Sequence, residues 1–135
     1  IEKRDIKAMI KSLRKGRPVW YAPDQSFSRK GSEVIPFFGV PSMHTTATST
    51  LARLGKAVTL PYFPRRLPNG RDEFTILPPL TDFPMHVPGA DTKKTVQVLE
   101  DYIRICPEHS LWVHRKFKTL PDGYPDYYAD LDTSK

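Results

Sequence analysis

Apolar side chains at Ile6, Met9, Ile10 and Leu13 recur at i, i+3, i+4 and i+7, with lysines and arginines on the opposite face. This spacing predicts an amphipathic helix over about residues 2–15, with Gly16 placed to end it. Pro18-Val19-Trp20-Tyr21-Ala22 follows at once, a short apolar run with the pattern of a buried strand. The polar stretch 23–31 then reads as a loop. Val34 to Phe38 is apolar and closed by Gly39 and Pro41, a second extended piece or turn. From Ser42 to Leu54 the chain reads as a helix, with Ser42 available as N-cap and Gly55 after its last residue. Only Arg53 charges this helix, so burial on most sides is expected.

Ala57 to Phe63 is nearly continuous in apolar residues, as expected of a strand in a parallel sheet covered on both faces. Arg65 and Arg66 leave it, Pro68-Asn69-Gly70 turns, and Phe74-Thr75-Ile76-Leu77 returns, which predicts a hairpin on a sheet edge. Residues 78–91 hold Pro78, Pro79, Pro84 and Pro88 and read as an extended connection. A last helix is expected from about Thr92 to Ile105, with Val96, Leu99 and Ile103 on one face and Cys106-Pro107 closing it. Leu111 to Phe117 reads as a final strand that turns basic, and the tail after Leu120, with its three tyrosines, as a surface wrap. The alternation predicts an α/β fold, a mostly parallel open sheet flanked by helices. There is no internal repeat.

Composition narrows this picture without redirecting it. At 135 residues the chain is the size of one domain, residues 1–135. Its 33 Leu, Ile, Val and Phe residues lie above the roughly one-fifth share below which disorder is expected. Fourteen prolines, about twice the usual frequency, punctuate the fold without making it low-complexity. One cysteine, Cys106, excludes an internal disulfide framework and fits a reducing compartment. No apolar run approaches the ~18 residues of a membrane-spanning helix, and residues 1–15 lack the pattern of a signal peptide. The start at Ile1, already helix-like, suggests further chain upstream.

Charge adds the first chemistry. Lys and Arg number 21 against 15 Asp and Glu, a net +6. The cations cluster at Arg14, Lys15 and Arg17; at Arg29 and Lys30; at Arg65, Arg66 and Arg71; and at Arg115, Lys116 and Lys118. Several clusters fall at predicted strand ends, where a fold can gather them on one rim. A phosphorylated or carboxylate-bearing ligand suits that rim, as does an acidic protein or an anionic membrane; a solvated basic surface is the plainer reading.

Asp24 sits just past the carboxyl end of the Trp20-Tyr21 run, where open α/β sheets bind ligands. It can equally hydrogen-bond its own turn after Pro23. His86 and Asp91 form an H-x4-D string, the spacing of a base and its orienting carboxylate. That string crosses Pro88 and Gly89 in a connecting loop, where nothing rigid holds it, so it reads as coincidence. Cys106 reads as packing at a helix end. The four histidines and Cys106 offer no metal-ligand spacing, and no Gly-rich phosphate loop is present. Neither a metal nor a cofactor is expected.

Taken in order, the strings Val19-Trp20-Tyr21-Ala22-Pro23-Asp24-Gln25, Pro36-Phe37-Phe38-Gly39-Val40, Thr45-Thr46-Ala47-Thr48-Ser49, Leu51-Ala52-Arg53-Leu54 and Pro64-Arg65-Arg66 carry a resemblance. Ile76-Leu77-Pro78-Pro79, Pro107-Glu108 and Trp112-Val113-His114-Arg115-Lys116-Phe117-Lys118 continue it. The chain resembles the C-terminal half of the lipid A biosynthesis acyltransferases, the late lauroyl or myristoyl transferases of Gram-negative bacteria. The resemblance implies a glycerol-phosphate acyltransferase-like fold, incomplete at its N-terminus, at the cytoplasmic side of the inner membrane. It implies transfer of a fatty acyl chain from acyl carrier protein to a hydroxyl of a Kdo-bearing lipid A precursor, in lipopolysaccharide biosynthesis.

The family's H-x4-D/E dyad deprotonates that hydroxyl, and it lies upstream of the matched segment; His86 and Asp91, after the ILPP block, do not correspond to it. The isolated chain is therefore expected to be inactive. Asp24 matches the family's PD position and is expected to be a supporting carboxylate. Arg65, Arg66 and Arg115 match basic positions suited to the anionic head group or the carrier protein. The alternative is a non-catalytic binding module for anionic lipid, acyl carrier protein or nucleic acid. Nucleic acid is not the expected partner, because the basic helix spreads its cations and forms no recognition face.

Overall fold

Asp5 sets the start of the first helix, α1 (Ile6–Arg14), by accepting a hydrogen bond from the Ala8 N–H at 2.9 Å. The computed structural model describes residues 5–24, 30–110 and 113–131. Within them α1 buries Met9 and turns its lysines outward, as the spacing predicts; residues 2–4 of the expected helix lie outside the described residues. Gly16, at φ +72°, lets the chain leave the helix. Residues 25–29 of the expected loop also lie outside the description.

The next unit is a hairpin. Strand β1 (Ser32–Phe37) pairs antiparallel with β2 (Val40–Thr45) through a two-residue turn, Phe38-Gly39, both at positive φ. Such a turn makes Phe37–Val40 a hydrogen-bonded pair and the next pair, Pro36–Pro41, a non-hydrogen-bonded one. The missing N–H groups of both prolines therefore cost no ladder bond. Phe38 is held in its unusual conformation by α3 (Pro88–Ile105): the Glu100 carboxylate accepts its N–H at 2.7 Å, and Arg104, paired to Glu100 at 3.0 Å, lies over its ring.

This hairpin corrects one expectation. The helix expected over 42–54 begins later, as α2 (Ala47–Gly55), because Ser42–Thr45 are drawn into the ladder with β1. Ladder pairing and burial of Met43 outweigh the weak helix preference of Ser and Thr. Burial of Ser49, Leu51, Ala52 and Gly55 agrees with a helix covered on several sides.

The one expected hairpin is present, shifted along the chain: β3 (Tyr62–Arg66) pairs antiparallel with β4 (Asp72–Ile76). Helix α3 starts four residues before the expected Thr92, with Pro88 in its first turn, where a missing N–H is harmless. It ends at Ile105, as the sequence implies, and a 3-10 turn follows over Pro107–His109. Phe37, Val96 and Ile103 form the core, with Ile35, Leu99 and Phe117 packed against it.

The fold is thus mixed α/β, but its sheets differ from the expected one. Both sheets of the described residues are two-stranded and antiparallel, and no mostly parallel open sheet occurs among them. A parallel ladder needs a neighbour running the same way, and residues 18–24 and 57–61 run outside both ladders. Residues 59–61 are instead tied to the chain after β4, through Leu77 N–H to Pro61 O and Leu80 N–H to Thr59 O. The strand expected over 111–117 is also absent among the described residues: 113–117 bend, and Leu111 and Trp112 lie outside the description. Residues 122–127 and 129–131 of the tail are exposed, whereas Pro121 and Tyr128 are partly covered, and the Tyr128 hydroxyl accepts the Phe117 N–H at 3.2 Å.

Candidate active site

Between α2, α3 and the extended segments 19–24 and 57–64 lies a cleft of about 580 Å3. Leu51, Ala52, Val96 and Leu99 line it, so its walls are largely hydrocarbon. One pole of the cleft is polar. Tyr21 and Asp24 reach it from the segment after α1, His44 and Thr45 from the end of β2, and His114 and Lys116 from the bend before the tail.

These groups are mutually engaged. The Lys116 ammonium donates to the main-chain carbonyl of Asp24 at 2.5 Å and lies 5.2 Å from the centre of the Phe37 ring. Lys116 is only 8% exposed, and burial lowers its pKa to about 8 against the opposing pull of the Asp24 charge. His44, 3% exposed, is lowered to about 3 by burial and then by the neighbouring Lys116 charge, so its imidazole is neutral. Its Nε2 is buried with no hydrogen-bond partner among the described residues. Burial raises the Tyr21 phenol above its usual range, partly offset by a hydrogen bond with the Thr45 side chain. Burial also lowers His114, followed by Lys118 and Lys116, with Asp24 opposing. Asp24 itself is exposed at the mouth.

Of the residues singled out by sequence, the structure brings Asp24 to this pole and leaves the arginines away from it. Arg66 forms an ion pair with Asp72, its cross-strand partner, at 2.5 Å. Arg65, next to it on β3, has a buried Nε with no hydrogen-bond partner among the described residues. Arg115 is exposed, with its guanidinium 5.6 Å from the centre of the Tyr128 ring. None of the three lines the cleft.

Sequence reasoning passed over His44 and Lys116. His44 was hidden by the assignment of 42–54 to a helix. Lys116 was hidden inside a basic cluster, although alternation along 114–116 separates His114 and Lys116, which line the cleft, from Arg115, which does not.

Two other constellations resolve as structural. Asp91 is 1% exposed and accepts the Met85 N–H at 2.7 Å, fixing the entry to α3, while His86 is exposed at φ +61°. No hydrogen bond joins that pair among the described residues. Cys106, Glu108 and His109 bring ligand atoms within 4.8 Å of one another, which the sequence spacing did not suggest. Both His109 nitrogens already have neighbours, Nε2 the Arg66 main chain at 3.1 Å and Nδ1 the Glu108 carboxylate at 3.5 Å.

Known proteins give this geometry a setting. Residues 1–119 match the family described as bacterial lipid A biosynthesis acyltransferase. The chain is 38% identical over 130 residues to the lipid A biosynthesis lauroyltransferase of Escherichia coli strain K12, covering 95% of this chain and 42% of the relative. It is 35% identical over 130 residues to the palmitoleoyltransferase of the same strain, with the same coverage. A lipid A biosynthesis acyltransferase of Haemophilus influenzae is 32% identical over 125 residues, 90% of this chain and 40% of the relative. The chain therefore spans about two-fifths of the length of these relatives.

Proposed function

The chain belongs to the bacterial lipid A biosynthesis acyltransferase family, and from that premise we propose that it forms the supporting half of an acyl-transfer site. The observation that carries the proposal is the pole where Lys116 holds Asp24 at the mouth of an apolar cleft. An amphiphile with a polar reacting end and a hydrocarbon chain suits such a place, because its chain needs a dry wall and its oxygens need fixed polar partners.

In this reading the donor is an acyl thioester of acyl carrier protein, and the acceptor is a hydroxyl of a Kdo-bearing lipid A precursor. The hydroxyl oxygen forms the new ester bond to the acyl carbon while the carbon–sulfur bond breaks, and the departing thiolate takes up the proton. The base that first removes that proton belongs to the family's H-x4-D/E dyad, outside residues 1–135. Asp24 supports the step by orienting a substrate group or a partner arginine. Arg65, Arg66 and Arg115, set away from the cleft wall, serve the anionic head group or the acidic carrier and not the reacting carbonyl. Residues 18–22 and 57–61 are the candidate strands of the family's parallel sheet.

Among the described residues no helix is long and apolar enough to cross a membrane. We place the chain's action at the cytoplasmic side of the inner membrane. Nucleic acid has no part in this reading.

The test is complementation. The gene that encodes this chain, with its flanking coding sequence, is expressed in a Gram-negative strain lacking a late acyltransferase, and lipid A is weighed by mass spectrometry. An added acyl mass, lost with Asp24→Asn, is the expected outcome. An added mass that persists in Asp24→Asn removes Asp24 from the site. No added mass with any such strain, together with retained binding of acyl carrier protein, favours the binding-module reading.

A further inference from the structure

A lysine that is 8% exposed has given up most of its hydration, so its ammonium must find acceptors inside the fold. The structure shows where it goes and what holds it there. The Lys116 main-chain carbonyl accepts a hydrogen bond from Ser42 Oγ at 2.9 Å, and Ser42 is fully buried in β2. From that anchor the side chain passes the Phe37 ring and ends on the Asp24 carbonyl. Three stretches of chain far apart in sequence are thereby tied in series. Asp24 faces the ammonium from the segment after α1, His44 from β2, and His114 and Lys118 belong to its own bend.

We propose that Lys116 is a positioning residue, anchored on Ser42, that pins the Asp24 end of segment 18–24 through its main-chain carbonyl and so leaves the Asp24 carboxylate available to substrate. The catalytic consequence rests on the acyl-transfer reading; the pin itself does not. A bond to the carbonyl fixes the backbone without occupying the carboxylate, which a direct ion pair would do. The ring of Phe37 adds a second constraint on the cation, since an ammonium over an aromatic face is attracted to it.

Hydrogen–deuterium exchange of the full gene product reads the pin directly. In Lys116→Met, peptides within 18–24 should exchange about tenfold faster while those of α3 keep their rates, and Lys116→Arg should restore the parent rate. Asp24→Asn should leave exchange unchanged, because the carbonyl is retained. Ser42→Ala, which removes the anchor and not the ammonium, should loosen the same peptides and serves if Lys116→Met does not fold. Unchanged exchange in Lys116→Met, or in Ser42→Ala where Lys116→Met fails to fold, overturns the pin.

Steady-state acyl transfer from acyl carrier protein to a lipid A precursor then tests the consequence. Lys116→Met should lower kcat about tenfold or more with KM little changed, and Lys116→Arg should recover most of it. A lowered kcat that Lys116→Arg does not recover, or an unchanged one, overturns the positioning role. A parent without acyl transfer overturns the functional reading instead, and exchange alone then decides the pin.

Discussion

Replacing Gly55 with alanine tests how closely the first two helices approach. A methyl group built there would lie 2.7 Å from Leu13 Cδ1, 2.8 Å from Leu13 Cβ and 3.3 Å from Leu13 Cγ. Carbon atoms are comfortable at about 3.5–4.0 Å, so α1 must retreat by roughly 0.7–1 Å. Rotating Leu13 relieves only the Cδ1 and Cγ contacts; its Cβ is fixed to the backbone. Such overpacking costs about 1–3 kcal/mol, against which alanine regains up to about 1 kcal/mol of helix preference over glycine. The retreat also strains the hydrogen bond from Arg14 Nε to the Leu54 carbonyl, 2.8 Å long, which closes the end of α2.

Gly55→Ala should therefore lower the free energy of unfolding in urea by about 1–2 kcal/mol at unchanged denaturant slope. Leu13→Ala removes the contacts at Cδ1 and Cγ and leaves the clash at Cβ. The double variant should accordingly be less destabilised than the sum of the singles, by about 0.5 kcal/mol or more. Gly55→Ala more stable than the parent, with no coupling to Leu13, would mean that the helices do not meet as described.

His44 makes stability depend on pH in a set direction. Its native pKa of about 3 lies below the ordinary 6.5, so the native state holds fewer protons and its contribution is complete above pH 6.5. That contribution is lost as the pH falls from 6.5 towards 3, by at most about 1.4 kcal/mol per pH unit, and His44→Phe should flatten this part of an unfolding profile. Asp91→Ala strands the Met85 N–H and should cost about 2 kcal/mol in urea unfolding, whereas His86→Ala should stay within about 0.5 kcal/mol. The 135-residue chain expressed alone should give no acyl transfer in a radiolabelled-acyl assay; turnover abolished by His86→Ala would restore that histidine as a base.

What the sequence made legible was whatever local spacing determines. The 3.6-residue period of Ile6, Met9, Ile10 and Leu13 marked α1, and Val96, Leu99 and Ile103 marked the buried face of α3. The turn residues Pro68-Asn69-Gly70 marked the second hairpin, although the pairing starts later than expected. The first hairpin stayed hidden because Phe38 is a rare residue at positive φ and because Pro36 and Pro41 argue against strands. Only their register, each facing the other at a non-hydrogen-bonded position, makes them acceptable, and register is not a local property.

The site divided along the same line. Asp24 was legible from its place after an apolar run and from the family strings. Lys116 acquires its part from Ser42 and Phe37, more than 70 residues away in sequence, and no spacing rule reaches that far. The parallel sheet was inferred from continuous apolar runs at 19–22 and 57–63. Such runs state that a segment is to be covered, and leave open which neighbour runs beside it.

The paired prolines of the first hairpin also bear on how this chain behaves in a crowd of its own copies. At a non-hydrogen-bonded pair the main-chain groups point away from the partner strand, towards the two outer margins of the ribbon. Each margin of the β1–β2 ribbon consequently lacks a donor near the turn, at Pro36 on one side and Pro41 on the other. Ser42–Thr45 of β2 are buried within the fold, so a second copy can approach that strand only near the turn, where Pro41 offers no donor, and on β1 it meets the same gap at Pro36. Substituting both prolines with valine would restore a donor on each margin at the turn and so remove the gap that an edge-pairing neighbour would meet there.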